Sequence, residues 1–150
     1  MPIEPVREHI RTAVIGVGYL GRFHAQKYAQ LDGSKLVGVV DQNQQAAQAV
    51  GAELGVPVHT DYREILAKVD AVSLAVPTPL HHAIGRELLG RGIHVLIEKP
   101  IATTTQEAQE LIDIARKRQC VLQVGHLERF NPAIVSAGAR LKTPSFVECH

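Results

Sequence analysis

Three glycines, at positions 16, 18 and 21, constrain this chain more than any other feature. The segment Gly16-Val17-Gly18-Tyr19-Leu20-Gly21 leaves an apolar run over residues 12–17 and enters a helical stretch over 20–30. In that context G-x-G-x-x-G reads as a tight strand-to-helix turn that cradles phosphate. Gly16 allows the turn, Gly18 lets the main chain approach a pyrophosphate, and Gly21 lets the helix lie close to the strand. The helix N-terminus then offers unpaired N–H groups to the phosphates, with Tyr19 and Leu20 in the same loop. A strand that leads into a covering helix continues as a parallel sheet, because the crossover returns the chain in the same direction.

The remaining sequence keeps that alternation. Strands are expected over 35–40, 56–58, 71–76, 94–97 and 120–124, and a run such as 71–76, without polar alternation, suits burial on both faces. A helix over 44–54 ends at Gly55, where a left-handed residue is wanted. Asp61 and Glu64 suggest a capping box opening another helix, and Pro79 starts a third that runs to Arg91 and stops at Gly92. Thr104 and Glu107 form a second capping box, with Ala108, Leu111, Ile112 and Ala115 on one face and Lys117-Arg118 near the negative end. The fold expected over residues 1–130 is α/β, a Rossmann-type doubly wound parallel sheet. Residues 131–141 read as a linker helix, 142–144 as a break, and 145–150 as a strand. A strand with nothing after it suggests a second domain that has been cut off.

Composition removes several function classes. The formal net charge is +1 and no run of five like charges occurs, so neither a nucleic-acid surface nor a charged tail is expected. No apolar stretch reaches the roughly 20 residues that span a bilayer, and Met1 to Pro5 lack the pattern of a signal peptide. Two cysteines make no disulfide framework and fit a reducing, cytoplasmic setting, with Cys120 read as a small buried hydrophobe in a strand. The eight histidines show no metal-ligand spacing, so no metal site is expected.

Asp41 ends the second expected strand, twenty residues after Gly21. A carboxylate there accepts from the ribose hydroxyls of an adenosine and repels a 2′-phosphate. Neither Gln42 nor Asn43 offers a compensating cation, so NAD is expected ahead of NADP. Asp41 also suits the N-cap of the following helix, and the two roles are compatible.

Ligands of such folds lie across the carboxyl ends of the strands. Residues 76–81, Glu98-Lys99-Pro100 and residues 125–130 follow three successive strands and should face one crevice. Lys99, partly desolvated near a nicotinamide, would suit proton removal from a substrate hydroxyl. Glu98 would orient Lys99 or bind ribose, and Pro100 biases Lys99 towards an extended conformation. An exposed ion pair at a strand end is the other reading of Glu98-Lys99. Satisfied structural histidines are the other reading of His81 and His126. His24 is expected to pack the first helix, and His82 to lie on a helix surface.

The glycine loop, Pro77 to His81, the Glu98-Lys99-Pro100 triplet and the Gly-x-x-x-Arg-Phe-x-Pro segment from Gly125 to Pro132 resemble the Gfo/Idh/MocA family. That resemblance implies a Rossmann domain truncated before a C-terminal α/β substrate domain, and redox chemistry on sugars, cyclitols or nucleotide sugars with a nicotinamide cofactor. By the same resemblance Gly16, Gly18 and Gly21 bind pyrophosphate and Asp41 binds the adenosine ribose. Pro77, Thr78 and His81 line the nicotinamide side, Thr78 standing where the family often has Asn. Glu98 touches the nicotinamide ribose, Lys99 is the catalytic lysine, and His126 and Arg129 lie beside substrate or cofactor. Residues 125–132 and 146–150 are further similar to the bacterial branch of lipid A assembly that oxidises the 3-hydroxyl of UDP-N-acetylglucosamine. That branch implies a small-molecule nucleotide sugar as partner, a pathway aminotransferase downstream and a homo-oligomeric full-length protein. The motifs also accommodate a family dehydrogenase for another sugar or cyclitol. A non-catalytic, redox-sensing NAD module would use the glycine loop and Asp41 but not Lys99.

Overall fold

The computed structural model describes residues 9–140, 146 and 148, with the side chains of 139 and 140 left aside. Six strands, β1 (Ile10–Ile15), β2 (Ser34–Val40), β3 (Val58–His59), β4 (Ala71–Leu74), β5 (His94–Ile97) and β6 (Leu122–Val124), form one sheet in the order β3-β2-β1-β4-β5-β6. Every pairing is parallel. The order reverses between β1 and β4, the switch point at which doubly wound sheets open a crevice. Helices α1 (Tyr19–Gln30), α2 (Gln44–Leu54), α3 (His81–Gly90), α4 (Thr105–Arg118) and α5 (Pro132–Arg140) complete the described chain.

Alternate residues of β1 serve opposite faces, as the two-residue strand period requires. Ala13 and Ile15 pack with Ile84, Leu88, Leu89, Leu111 and Ala115 of α3 and α4. Val14 packs with Ala25 of α1 and with Ala47 and Val50 of α2. Both faces of the central strands are therefore covered, which is why their sequences carry no polar alternation.

Local chemistry sets the boundaries. Asn43 caps α2 by accepting from the Gln45 and Ala46 N–H groups, and Gly55 closes it at φ 66°. Both arms of the Thr104–Glu107 capping box form at α4. Other expectations shift. β1 ends at Ile15 because Gly16 turns the chain at φ 84°. β3 begins at Val58 rather than 56, since the Val56 N–H bonds to the Gly51 carbonyl at 3.1 Å and Pro57 has no N–H to give. β6 likewise starts late: the Cys120 N–H is held by the Ala115 carbonyl at 2.9 Å and that of Val121 by His94 Nδ1 at 2.9 Å. Cys120 is half-buried just before that strand, and burial pushes its thiol pKa up. The helix expected from Pro79 begins as a 3₁₀ turn (Thr78–Leu80), and α3 starts at His81. The helix expected after Asp61 is only a 3₁₀ turn, Tyr62–Ile65. Asp61 caps it through the Arg63 N–H rather than that of Glu64, so no capping box forms, and Glu64 also meets His59 Nδ1 at 2.9 Å. The strand expected over 145–150 lies outside the described residues, Phe146 and Glu148 apart.

Tyr62 donates its hydroxyl to Glu87 Oε2 at 2.7 Å, tying that turn to α3. This bond, reinforced by Arg91, holds the Glu87 carboxyl below the usual carboxylate range. A carboxyl depressed on folding stabilises the fold above its unfolded pKa, about 4.3, and loses that contribution as pH falls through the folded value. Glu87→Gln is therefore expected to be less stable than the parent near neutrality and to converge with it in acid. Thermal melts at descending pH check this, and parallel curves would refute it.

Candidate functional site

A cleft of about 840 Å³ opens at the carboxyl ends of β1, β2 and β4. Gly16, Gly18, Tyr19, Leu20, Asp41 and Pro77 line it, so six residues singled out from the sequence converge there. The three glycines have separate reasons. A Cβ on Gly16 would stand 2.7 Å from the Ala75 carbonyl carbon, and one on Gly21 would run into the Gly16 carbonyl oxygen. Around Gly18 a Cβ would meet nothing within 4 Å. Its constraint is therefore not internal packing, and open space lies where a phosphate would approach. Gly18 is also the N-cap of α1, which has no side-chain cap and no acidic residue in its first turn. Those N–H groups remain available to an anion, with the positive helix end behind them.

Asp41 accepts from the Val17 N–H through Oδ2 and from the Asn43 N–H through Oδ1, each at 2.8 Å. It thus braces the glycine loop against the end of β2. Asn43, not Asp41, is the cap of α2, which corrects the capping role considered for Asp41. A carboxylate has about four lone-pair sites, so two acceptor positions remain for hydroxyls. The residues fit a dinucleotide.

The cleft also contains Thr60, Asp61, Tyr62 and Arg63, which sequence reasoning did not assign to it. They follow β3, the strand beside β2, and only the sheet order reveals that adjacency. Arg63 lies over the Tyr62 ring at 4.8 Å and within 3.5 Å of Asp61 and 3.8 Å of Glu87.

The ends of β5 and β6 carry the second group. The Gly125 N–H bonds to the Ile97 carbonyl at 2.8 Å, which sets Glu98-Lys99 beside Gly125-His126. Lys99, His126 and Arg129 are exposed, and Thr78 is half-buried. The Lys99–Pro100 peptide is cis. Two of the residues are buried, and each takes one of the two readings that its sequence allows. Glu98 is only 5% exposed; its Oε1 lies 2.9 Å from His24 Nε2, and its Oε2 accepts from the Lys99 N–H at 3.2 Å. The bond to the Lys99 N–H fits the reading of Glu98 as the residue that orients Lys99. His81 is 1% exposed, with its ring between the carbonyls of Pro100 at 2.9 Å and Val76 at 2.8 Å. It does not line the nicotinamide side, because main-chain oxygens occupy both ring nitrogens. His24 does more than pack α1, since its Nδ1 also meets Ser73 Oγ at 2.9 Å. His82 bridges α3 to α4 through Glu110 at 2.8 Å. Among the described residues no three metal-ligating side chains cluster. Nor is any helix among them long and apolar enough to cross a membrane.

A doubly wound sheet with an uncapped glycine loop and a carboxylate at the end of β2 defines a dinucleotide-binding domain. Residues 10–126 match the family described as an oxidoreductase family with an NAD-binding Rossmann fold, and the chain belongs to that Gfo/Idh/MocA family. UDP-N-acetylglucosamine 3-dehydrogenase of Acidithiobacillus ferrooxidans is 49% identical over 126 residues, 84% of this chain and 40% of that protein. A solved structure of that enzyme superimposes with a TM-score of 0.82 at 47% identity, covering 88% of this chain and 43% of the other. GenD2 from gentamicin A biosynthesis, solved in complex with NAD, gives a TM-score of 0.87 at 30% identity over 90% of this chain and 39% of its own. The scyllo-inositol 2-dehydrogenase (NAD(+)) of Bacillus subtilis is 32% identical over 139 residues, 89% of this chain and 41% of that protein. The chain spans about 40% of the length of these curated relatives.

Proposed function

We propose that the full-length protein is an NAD-dependent dehydrogenase that oxidises the 3-hydroxyl of UDP-N-acetylglucosamine to a ketone. The observation that carries the substrate reading is the 49% identity to the Acidithiobacillus ferrooxidans enzyme of that name, well above the 32% shared with the inositol dehydrogenase. Gly16, Gly18 and the first turn of α1 hold the pyrophosphate, and Asp41 accepts from the adenosine ribose. Bound NAD supplies a hydride acceptor. Lys99 takes the hydroxyl proton on its Nζ as the carbinol C–H bond breaks, and His126 and Arg129 orient the sugar from the neighbouring strand end. Residues 131–150 lead into a second domain that completes the sugar site. The protein works as a cytoplasmic homo-oligomer in lipid A assembly, where an aminotransferase consumes the ketone.

Full-length protein with NAD and UDP-N-acetylglucosamine should raise absorbance at 340 nm. Turnover of an inositol alone would reassign the substrate. For the cofactor, titration should show NADH binding more tightly than NADPH. Asp41→Ala is expected to weaken NADH by about 10–100-fold, since hydrogen bonds to a charged group are worth about 1.5–3 kcal/mol. Equal affinities for NADH before and after the substitution would remove Asp41 from the ribose site.

A further inference from the structure

We propose that two buried histidines, His24 and His81, are positioning residues for Lys99, clamping the main chain on either side of it from opposite faces of the sheet. The inference rests on the reading of Lys99 as the base. His24 comes from α1 and His81 from α3, which cover opposite faces.

The first arm runs through Glu98. A carboxylate only accepts, so His24 Nε2 carries the hydrogen in the 2.9 Å contact with Oε1. His24 Nδ1 lies 2.9 Å from the Ser73 hydroxyl, which in turn lies 2.8 Å from the Tyr28 hydroxyl, so the ring is held at both nitrogens. Burial pushes the Tyr28 phenol pKa up. Gly125 roofs the carboxylate, since a Cβ there would stand 2.7 Å from Oε1. Held by His24, the other oxygen of Glu98 fixes the Lys99 N–H at 3.2 Å.

The second arm acts after Lys99. His81 Nδ1 lies 2.9 Å from the Pro100 carbonyl and Nε2 2.8 Å from that of Val76. In the clamp Nδ1 carries a hydrogen and donates it to the Pro100 carbonyl. Residues 98 and 100 are therefore anchored while the Lys99 side chain stays exposed. A base must meet its proton within hydrogen-bond reach, and a misplacement of about 1 Å can cost about 100-fold.

Hydrogen–deuterium exchange of the full-length protein, without ligands, reads the clamp directly. His24→Ala and His81→Ala should each speed exchange in the peptide around Lys99 by about tenfold or more, with central-strand amides unchanged. Turnover should fall about 10–100-fold while the NADH dissociation constant stays within twofold. His82→Ala, which removes only the α3–α4 bridge to Glu110, should change none of these. Exchange around Lys99 and turnover both at parent values in the two alanine variants would overturn the proposal. If an alanine variant does not fold, His24→Gln and His81→Gln replace it, each keeping an N–H donor. Joint recovery of protection and turnover then supports the clamp, and a folded glutamine variant that recovers neither overturns it. Failure of the Lys99 reading is distinct: it would show as full turnover in Lys99→Ala with the exchange result intact.

Discussion

Lys99→Ala in the full-length protein is expected to bind NADH like the parent and to lose turnover by about 10²–10⁴-fold, the range that a positioned general base contributes. Affinity should hold because Lys99 is not among the residues lining the cleft of the glycine loop. Stability should hold because its side chain is exposed, and its N–H bond to Glu98 needs only main chain. Lys99→Arg is expected to fail almost as badly. A guanidinium keeps the charge but does not give up its proton near neutrality, so it cannot serve as the base. Steady-state rates at saturating NAD, paired with NADH titration, separate these effects. Turnover within tenfold of the parent in Lys99→Ala would exclude the lysine as base. A loss of NADH affinity equal to the loss of turnover would make it a cofactor ligand instead.

The glycine loop and Asp41 were legible because their chemistry is local. Spacing places the glycines in one turn, and a strand of known length places the carboxylate at its end. Caps were legible for the same reason, as Gly55 and the Thr104–Glu107 pair show. What escaped was set by partners distant in the sequence. His81 resembled a cleft residue until the Pro100 carbonyl, 19 positions away, was found on its ring. Glu98 carries two readings in the sequence, and its bonds to the Lys99 N–H and to His24, 74 positions away, fit the orienting one. Asp61 and Glu64 had capping-box spacing, but Asp61 caps through the Arg63 N–H, Glu64 meets His59, and the helix stopped after one turn. Arg63 reached the adenosine side of the cleft only through the β3-β2 pairing. In each case the residue type was informative about chemistry, while tertiary contact decided which partner it served.

The second and third glycines of the loop should come apart under the same substitution. Gly18→Ala is expected to leave unfolding stability within about 0.5 kcal/mol, because its φ of −63° suits alanine and no atom lies within 4 Å of the new Cβ. Its NADH affinity should nevertheless fall by about tenfold or more, since the methyl group would occupy the space through which a phosphate reaches the α1 N-terminus. Gly21→Ala should lose both properties. Its Cβ would press on the Gly16 carbonyl oxygen, a main-chain atom that yields only if the loop or α1 moves. Such overpacking costs about 1–3 kcal/mol or more, and the displaced loop would no longer present Gly18 and the Val17–Asp41 bond together. Urea unfolding and NADH titration of both variants give the four values needed. Unchanged NADH affinity in Gly18→Ala would mean that no phosphate approaches that residue. Unchanged stability in Gly21→Ala would mean that α1 does not lie against the Gly16 turn, and the reason given for the third glycine would fall.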